Sequence, residues 1–167
     1  IGHTGTLDPF ATGLLICALG SATRLCGYLE AEDKTYSATL RLGSQTNTGD
    51  TEGDFVREDG PIPDKLDEAF LRERVFELKE LSPPQHSALK VNGRPAYDYA
   101  RKGEKLDLAP RPVRISKFGV LNYDPPDLTY VCRVSKGTYI RSLSEYIAGC
   151  IGTVGHTVAL RSGAIGA

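Results

Sequence analysis

The sequence predicts an α+β domain: a mixed, mainly antiparallel sheet with helices packed on it. Three observations carry this reading. Two stretches alternate with period two, the first placing Tyr36, Ala38, Leu40 and Leu42 opposite Thr35, Ser37, Thr39 and Arg41. The second sets Leu128, Tyr130, Cys132 and Val134 on one side. Helical patterns fall between the strands without a regular strand–helix–strand rhythm, and 167 residues, 40% of them hydrophobic, suffice for one core but not for two.

In chain order, residues 1–13 hold Gly2, Gly5, Pro9 and Gly13 among polar residues and read as an irregular loop with tight turns. The apolar run 13–19 reads as a buried strand. Ser21 can cap a helix through Leu25 and Leu29. Residues 35–42 form the first alternating strand, and 43–63, rich in Gly, Thr and Asp, a loop or hairpin. A helix is predicted over 64–78, with Leu66, Phe70 and Leu78 near one face. A short strand over 87–91 leads into the turn Asn92-Gly93. Pro95 suits the first position of a helix carrying Tyr97, Tyr99 and Arg101. Strands over 113–123 and 128–134 are joined by Asp124-Pro125-Pro126-Asp127. Lys136-Gly137-Thr138 turns the chain into a helix over 139–150, with Thr138 as its cap, and a last strand begins at 157–160.

The net charge of −1 hides a pattern. Residues 50–80 carry eleven acids and five bases, whereas residues 90–117 carry eight bases and three acids. Such asymmetry suits a protein with one RNA-facing side, although an unevenly charged solvated surface would look the same. Cys17, Cys26, Cys132 and Cys150 show no C-x-x-C spacing, which removes support for zinc or a redox dithiol. Their apolar neighbours suggest buried thiols in a reducing compartment. No run is long and apolar enough to span a bilayer and no basic leader precedes one, so a cytoplasmic location is expected. The chain has no Met, even at position 1, as expected of a fragment or processed chain.

The chain carries no G-x-S-x-G elbow, no H-E-x-x-H and no P-loop. The densest special segment is Gly2-His3-Thr4-Gly5-Thr6-Leu7-Asp8-Pro9-Phe10-Ala11-Thr12-Gly13. Its glycines permit positive φ and close approach of another molecule, and Pro9 holds Asp8 extended. An aspartate so placed can serve as nucleophile, base or metal ligand, or simply form a turn.

The segment from His3 to Leu15 resembles the signature of the TruB family of pseudouridine synthases. Three further blocks match in order. They are Asp33-Lys34-Thr35-Tyr36 with Leu42-Gly43 and Thr46–Asp50; Pro83–Lys90 with Gly93 and Tyr97–Gly103; and Ser135–Leu143, closed by Leu160-Arg161. The resemblance implies the pseudouridine synthase fold, with Asp8 attacking the target nucleoside as its glycosidic bond breaks. The uracil turns in place and is rejoined through carbon 5. A carboxylate nucleophile must be ionised, and Arg141 matches the arginine that would stabilise its charge. Without the motif, Arg141 would be a surface arginine on a helix's first turn.

By the same resemblance Tyr36 stacks on the base and helps remove the carbon-5 proton, directly or through water. Tyr139 and Leu160 pack on the base. In all three the pattern alone fits plain core packing equally well. His3 matches a histidine that fills the gap left by the flipped base, offsetting part of the few kcal/mol of unstacking. His86 stands where the family more often has Tyr or Phe, and neither it nor His156 receives a role.

The implied activity is isomerisation of a specific uridine, commonly uridine-55 of the tRNA T loop, by a catalytic trio of Asp8, Tyr36 and Arg141. No metal or cofactor is implied. The partner is the T stem-loop of tRNA; no membrane and no obligate protein partner are implied, and a monomer is expected. Residues 1–167 correspond to the catalytic domain alone, without the family's usual N-terminal segment and C-terminal RNA-binding domain. One rival is a non-catalytic RNA-binding module of the same fold. Another is a nucleotide-binding enzyme using the first loop at a helix N-terminus, against which stands the missing P-loop lysine.

Overall fold

The computed structural model of the protein describes residues 1–166. Four long strands build its sheet: β1 (Lys34–Leu42), β2 (Ile115–Asp124), β3 (Asp127–Val134) and β4 (Gly155–Ile165). Their order is β2–β3–β1–β4, all neighbours antiparallel, and the two-residue strand Thr12–Gly13 adds in parallel at the outer edge of β4. The helices are α1 (Cys26–Ala31), α2 (Glu68–Glu77), α3 (Ala96–Arg101) and α4 (Ile140–Ile151). A 3₁₀ turn over Gly20–Leu25 leads into α1. The α+β class read from the sequence is the observed one.

The two alternating segments occupy the centre of the sheet. Leu128, Tyr130, Cys132 and Val134 of β3 and Ala38, Leu40 and Leu42 of β1 are at most 2% exposed and form one face of the core. Helix α4 covers that face with Ile140, Leu143, Ile147 and Ala148, while Tyr130 Oη and Ser144 Oγ lie 2.8 Å apart. Burial raises the Tyr130 phenol well above its usual range and pushes the Cys132 thiol up to about 12. Helix α4 ends where Gly152 adopts φ 91°, the left-handed cap that glycine takes without strain.

Several local expectations are corrected. The run 13–19 is not a buried strand. Thr12–Gly13 lies beside β4, Cys17–Ala18 pairs back onto Gly2–His3, and the chain between them crosses from one ribbon to the other. Among the described residues no layer covers this run, and Leu14, Leu15 and Leu19 are exposed. Helix α2 starts at Glu68, its first turn capped by Asp67 Oδ1 accepting from Phe70 N. It buries Leu71 and Val75, so Phe70 points outward. Thr138 does not cap α4; its hydroxyl donates to Ser135 O at 2.8 Å, tightening the preceding turn. Of the cysteines only Cys132 is buried, while Cys17 is exposed and all four are free thiols.

Candidate active site

The loop between Thr4 and Gly13 is shaped by its own sequence. Pro9 occupies the second position of a turn closed by Ala11 N donating to Asp8 O at 2.9 Å. Phe10 and Ala11 pack on the core, which fixes the turn to the sheet. At Gly13 the backbone has φ 106° and a Cβ would sit 2.1 Å from Ser162 O, so only glycine fits against β4. The turn therefore holds the Asp8 carboxylate in a defined direction at the edge of a cleft.

That cleft has a volume of about 910 Å³ and runs between the loop, the start of β1, the hairpin after β1, the segment 85–101 and the start of α4. Arg141, in the first turn of α4, reaches Asp8 across 133 residues of sequence. Its Nε donates to Asp8 Oδ2 at 2.9 Å and its Nη2 to Asp8 Oδ1 at 3.0 Å, a two-point pair. Nη1 donates to Thr48 O at 2.9 Å. The Arg141 side chain is only 4% exposed, so its charge is balanced by protein groups rather than by water.

A second carboxylate shares that balance. Asp50 Oδ2 lies 3.8 Å from Arg141 Nε, and the Asp50 side chain is 5% exposed. Its Oδ1 accepts from Thr48 Oγ1 at 2.6 Å and from Glu52 N at 2.9 Å, which locks its direction. The guanidinium thus sits between two aspartates, one buried and one opening onto the cleft. Sequence reading placed Asp50 in a matching block without giving it a role. The available signal was an acid following Thr-Asn-Thr-Gly, a segment too polar to be expected inside.

Tyr36, Tyr139 and Leu160 line the same cleft as Asp8 and Arg141. Tyr36 stands on the inward face of β1. Burial pushes its phenol up to about 12, with Cys132 and Asp8 adding smaller contributions. Leu160 arrives by a bulge: β4 pairs Thr157 with Leu40 and then Ala159 with Thr39, leaving Val158 extra. The slip puts both Thr157 and Leu160 on the inner face despite their odd spacing. His3 lies apart from these residues, exposed, its Nδ1 held against the Gly5 carbonyl. His86 lines the cleft with Nδ1 buried and unpartnered, whereas His156 packs elsewhere, its Nδ1 2.9 Å from Ser44 O.

One wall of the cleft comes from the basic segment. The Gln85 side chain brackets the Leu106 backbone, donating to its carbonyl at 2.7 Å and accepting from its N–H at 2.8 Å. This closes residues 85–106 into a small lobe containing α3. On the cleft side of the lobe the Arg101 guanidinium lies 5.1 Å from the Tyr97 ring centre. Arg94, Arg101 and Lys102 are exposed. Arg114 is engaged instead with Asp33, at 3.0 Å.

The sequence model for "TruB family pseudouridylate synthase (N terminal domain)" matches residues 1–140. A "tRNA pseudouridine synthase B" of Bordetella avium is 44% identical over 99% of this chain and 69% of its own length. That of Hydrogenovibrio crunogenus is 44% identical over 99% of this chain and 55% of its own length. Among solved structures, a chain of a Cbf5-Nop10-Gar1 complex superposes with a TM-score of 0.66 at 26% identity, over 98% of this chain and 40% of that one.

Proposed function

The chain belongs to the TruB family of pseudouridylate synthases, and on that premise we propose that it converts one uridine of tRNA to pseudouridine, with uridine-55 of the T loop as the target. The observation that carries this reading is the two-point pair between Asp8 and Arg141 inside a cleft large enough for a flipped nucleotide. The names of the Bordetella and Hydrogenovibrio relatives supply the tRNA substrate.

The reaction is an isomerisation. The ribose C1′–N1 bond breaks, a C1′–C5 bond forms, N1 gains a proton and C5 loses one, so no cofactor or metal is required. Asp8 acts as the nucleophile that holds the nucleoside while the base turns. Arg141 occupies one lone pair on each Asp8 oxygen and leaves the other free to meet the sugar. Because the pair is preformed, no reorganisation is needed when charge shifts during glycosidic cleavage. Tyr139 and Leu160 supply apolar surface against the base while it is detached. Tyr36 stacks beside them. With a phenol near 12 it stays neutral at physiological pH, so it relays the C5 proton to water, accepting on oxygen as its own proton leaves. His3, exposed beside the loop, fills the space vacated in the RNA. Residues 1–167 are the catalytic domain, acting as a monomer on the T stem-loop.

The test is incubation with unmodified tRNA transcript followed by chemical mapping of pseudouridine. A single new pseudouridine in the T loop is expected. Full RNA binding without pseudouridine at any position would leave only an RNA-binding module.

A further inference from the structure

The two rims of the cleft carry opposite charge. On the rim formed by the start of β1 and the turn before α4, Lys34 and Lys136 both line the opening, beside Gly5 and Gly137. The hairpin rim carries Asp50, Glu52 and Asp54, with no base among its lining residues 47–54. Since Asp50 is already committed to Arg141, Glu52 and Asp54 remain as exposed negative charge on that side.

The basic rim is organised. Strand alternation puts Lys34 on the same face of β1 as Tyr36, two residues away. Lys34 Nζ donates to Glu30 O at 3.0 Å and to Glu32 O at 3.4 Å, at the C-terminal end of α1, leaving one ammonium proton uncommitted. Among the described residues no carboxylate lies within ion-pair distance of Lys34. Lys136 is 57% exposed and its one acidic partner, Glu30, stands 3.8 Å away. Just behind, Asp33 is shared by Arg114 at 3.0 Å and Arg133 at 3.8 Å. With Glu32 also acting on Lys34, the connected patch holds four bases against three acids. Burial pulls the Lys34 ammonium below its usual range; Glu30, Asp33 and Glu32 oppose this and Lys136 adds to it.

We propose that Lys34 and Lys136 form a phosphate-binding rim, over which the RNA backbone next to the flipped nucleotide enters the cleft. The opposite rim faces away from the backbone. A phosphodiester at the Lys34 rim meets two ammonium groups, and the glycines at Gly5 and Gly137 let it approach the backbone closely. At the other rim it would meet Glu52 and Asp54. The charge asymmetry thus selects one of two ways to lay a single strand across the same cleft. This assignment rests on the RNA substrate proposed above.

The test is the salt dependence of binding to an unmodified T stem-loop RNA. It compares the wild type, Lys136→Gln, Lys34→Gln/Lys136→Gln, Glu52→Gln/Asp54→Asn and Lys65→Gln, an exposed lysine outside the cleft. Each lost phosphate contact should flatten the slope of log K against log salt by roughly 0.7. Lys136→Gln should therefore lose about one such step and the double lysine variant up to two, with Lys65→Gln unchanged. The acid-rim variant should keep the wild-type slope. Lys34 also ties down the end of α1, so Lys136→Gln alone decides the matter should the double variant fail to fold. A wild-type slope in Lys136→Gln, or a flattened slope in the acid-rim variant, overturns the proposal while leaving pseudouridine formation untouched. A wild type that neither binds nor modifies the RNA overturns both readings.

Discussion

Arg141→Lys separates charge from geometry at the centre of the cleft. Three donors are in use at Arg141: two to Asp8, at 2.9 and 3.0 Å, and one to the Thr48 carbonyl at 2.9 Å. A lysine ammonium keeps the positive charge between Asp8 and Asp50, so neither carboxylate is left without a counter-ion. It is one compact nitrogen on a shorter fork-less stem, and it cannot bridge both Asp8 oxygens while reaching Thr48. At least one charged hydrogen bond to Asp8 is lost, worth about 1.5–3 kcal/mol. If that loss falls on the aimed carboxylate, turnover drops about tenfold to 150-fold. RNA affinity should change little, because phosphate and shape contacts lie elsewhere. The assay is single-turnover release of tritium from RNA labelled at uridine C5, with filter binding on the same protein and a thermal melt as a folding control. Turnover within about threefold of wild type, or affinity lost in proportion to rate, would refute the claim that the planar fork aims Asp8.

Three other outcomes follow from the structure. Neutralising Arg94, Arg101 and Lys102 should weaken RNA binding and flatten its salt slope, measured by filter binding; an unchanged slope would make the segment plain solvated surface. The rate–pH profile should show no log-linear rise between about pH 7 and 9.5 assignable to Tyr36, because its phenol, near 12, stays protonated there; a unit slope abolished by Tyr36→Phe would show a phenolate base instead. Stability should fall in alkali. Burial raises the Tyr36 phenol and the Cys132 thiol to about 12 in the folded state, from ordinary values of 10.0 and 9.0, so each favours the folded state below its unfolded value. That contribution is lost as pH rises from about 9 to 12, with Tyr36 accounting for about 2–3 kcal/mol in full and about half of that by pH 11, as denaturant melts at pH 8 and 11 would reveal.

The central strands were legible because they are half-buried: one face must be apolar, and period two records it directly in Tyr36–Leu42 and Leu128–Val134. The hairpin turn at Asn92-Gly93 was legible for a related reason, since both residues take positive φ, 51° and 81°. Where a residue's environment is set by distant chain, the sequence was silent. The run 13–19 is apolar enough for a core strand, yet Leu14 and Leu15 are exposed among the described residues. Leu160 points inward only because a bulge at Val158 shifts the phase of β4. Asp50 is buried by the fold of its hairpin and by an arginine 91 residues away, information that no local pattern holds. The Asp8–Arg141 contact was reached through family resemblance and would not have followed from spacing alone.

In the proposed reaction the carboxylate of Asp8 is the group on which the isomerisation depends. Asp8→Asn preserves shape and removes its negative charge, so pseudouridine formation in a T stem-loop RNA should be compared with the wild type under single-turnover conditions, alongside RNA affinity. The expected result is no detectable pseudouridine from the variant, with RNA bound at wild-type affinity. A variant rate within about tenfold of wild type, which is less than 1.4 kcal/mol of barrier, would contradict it.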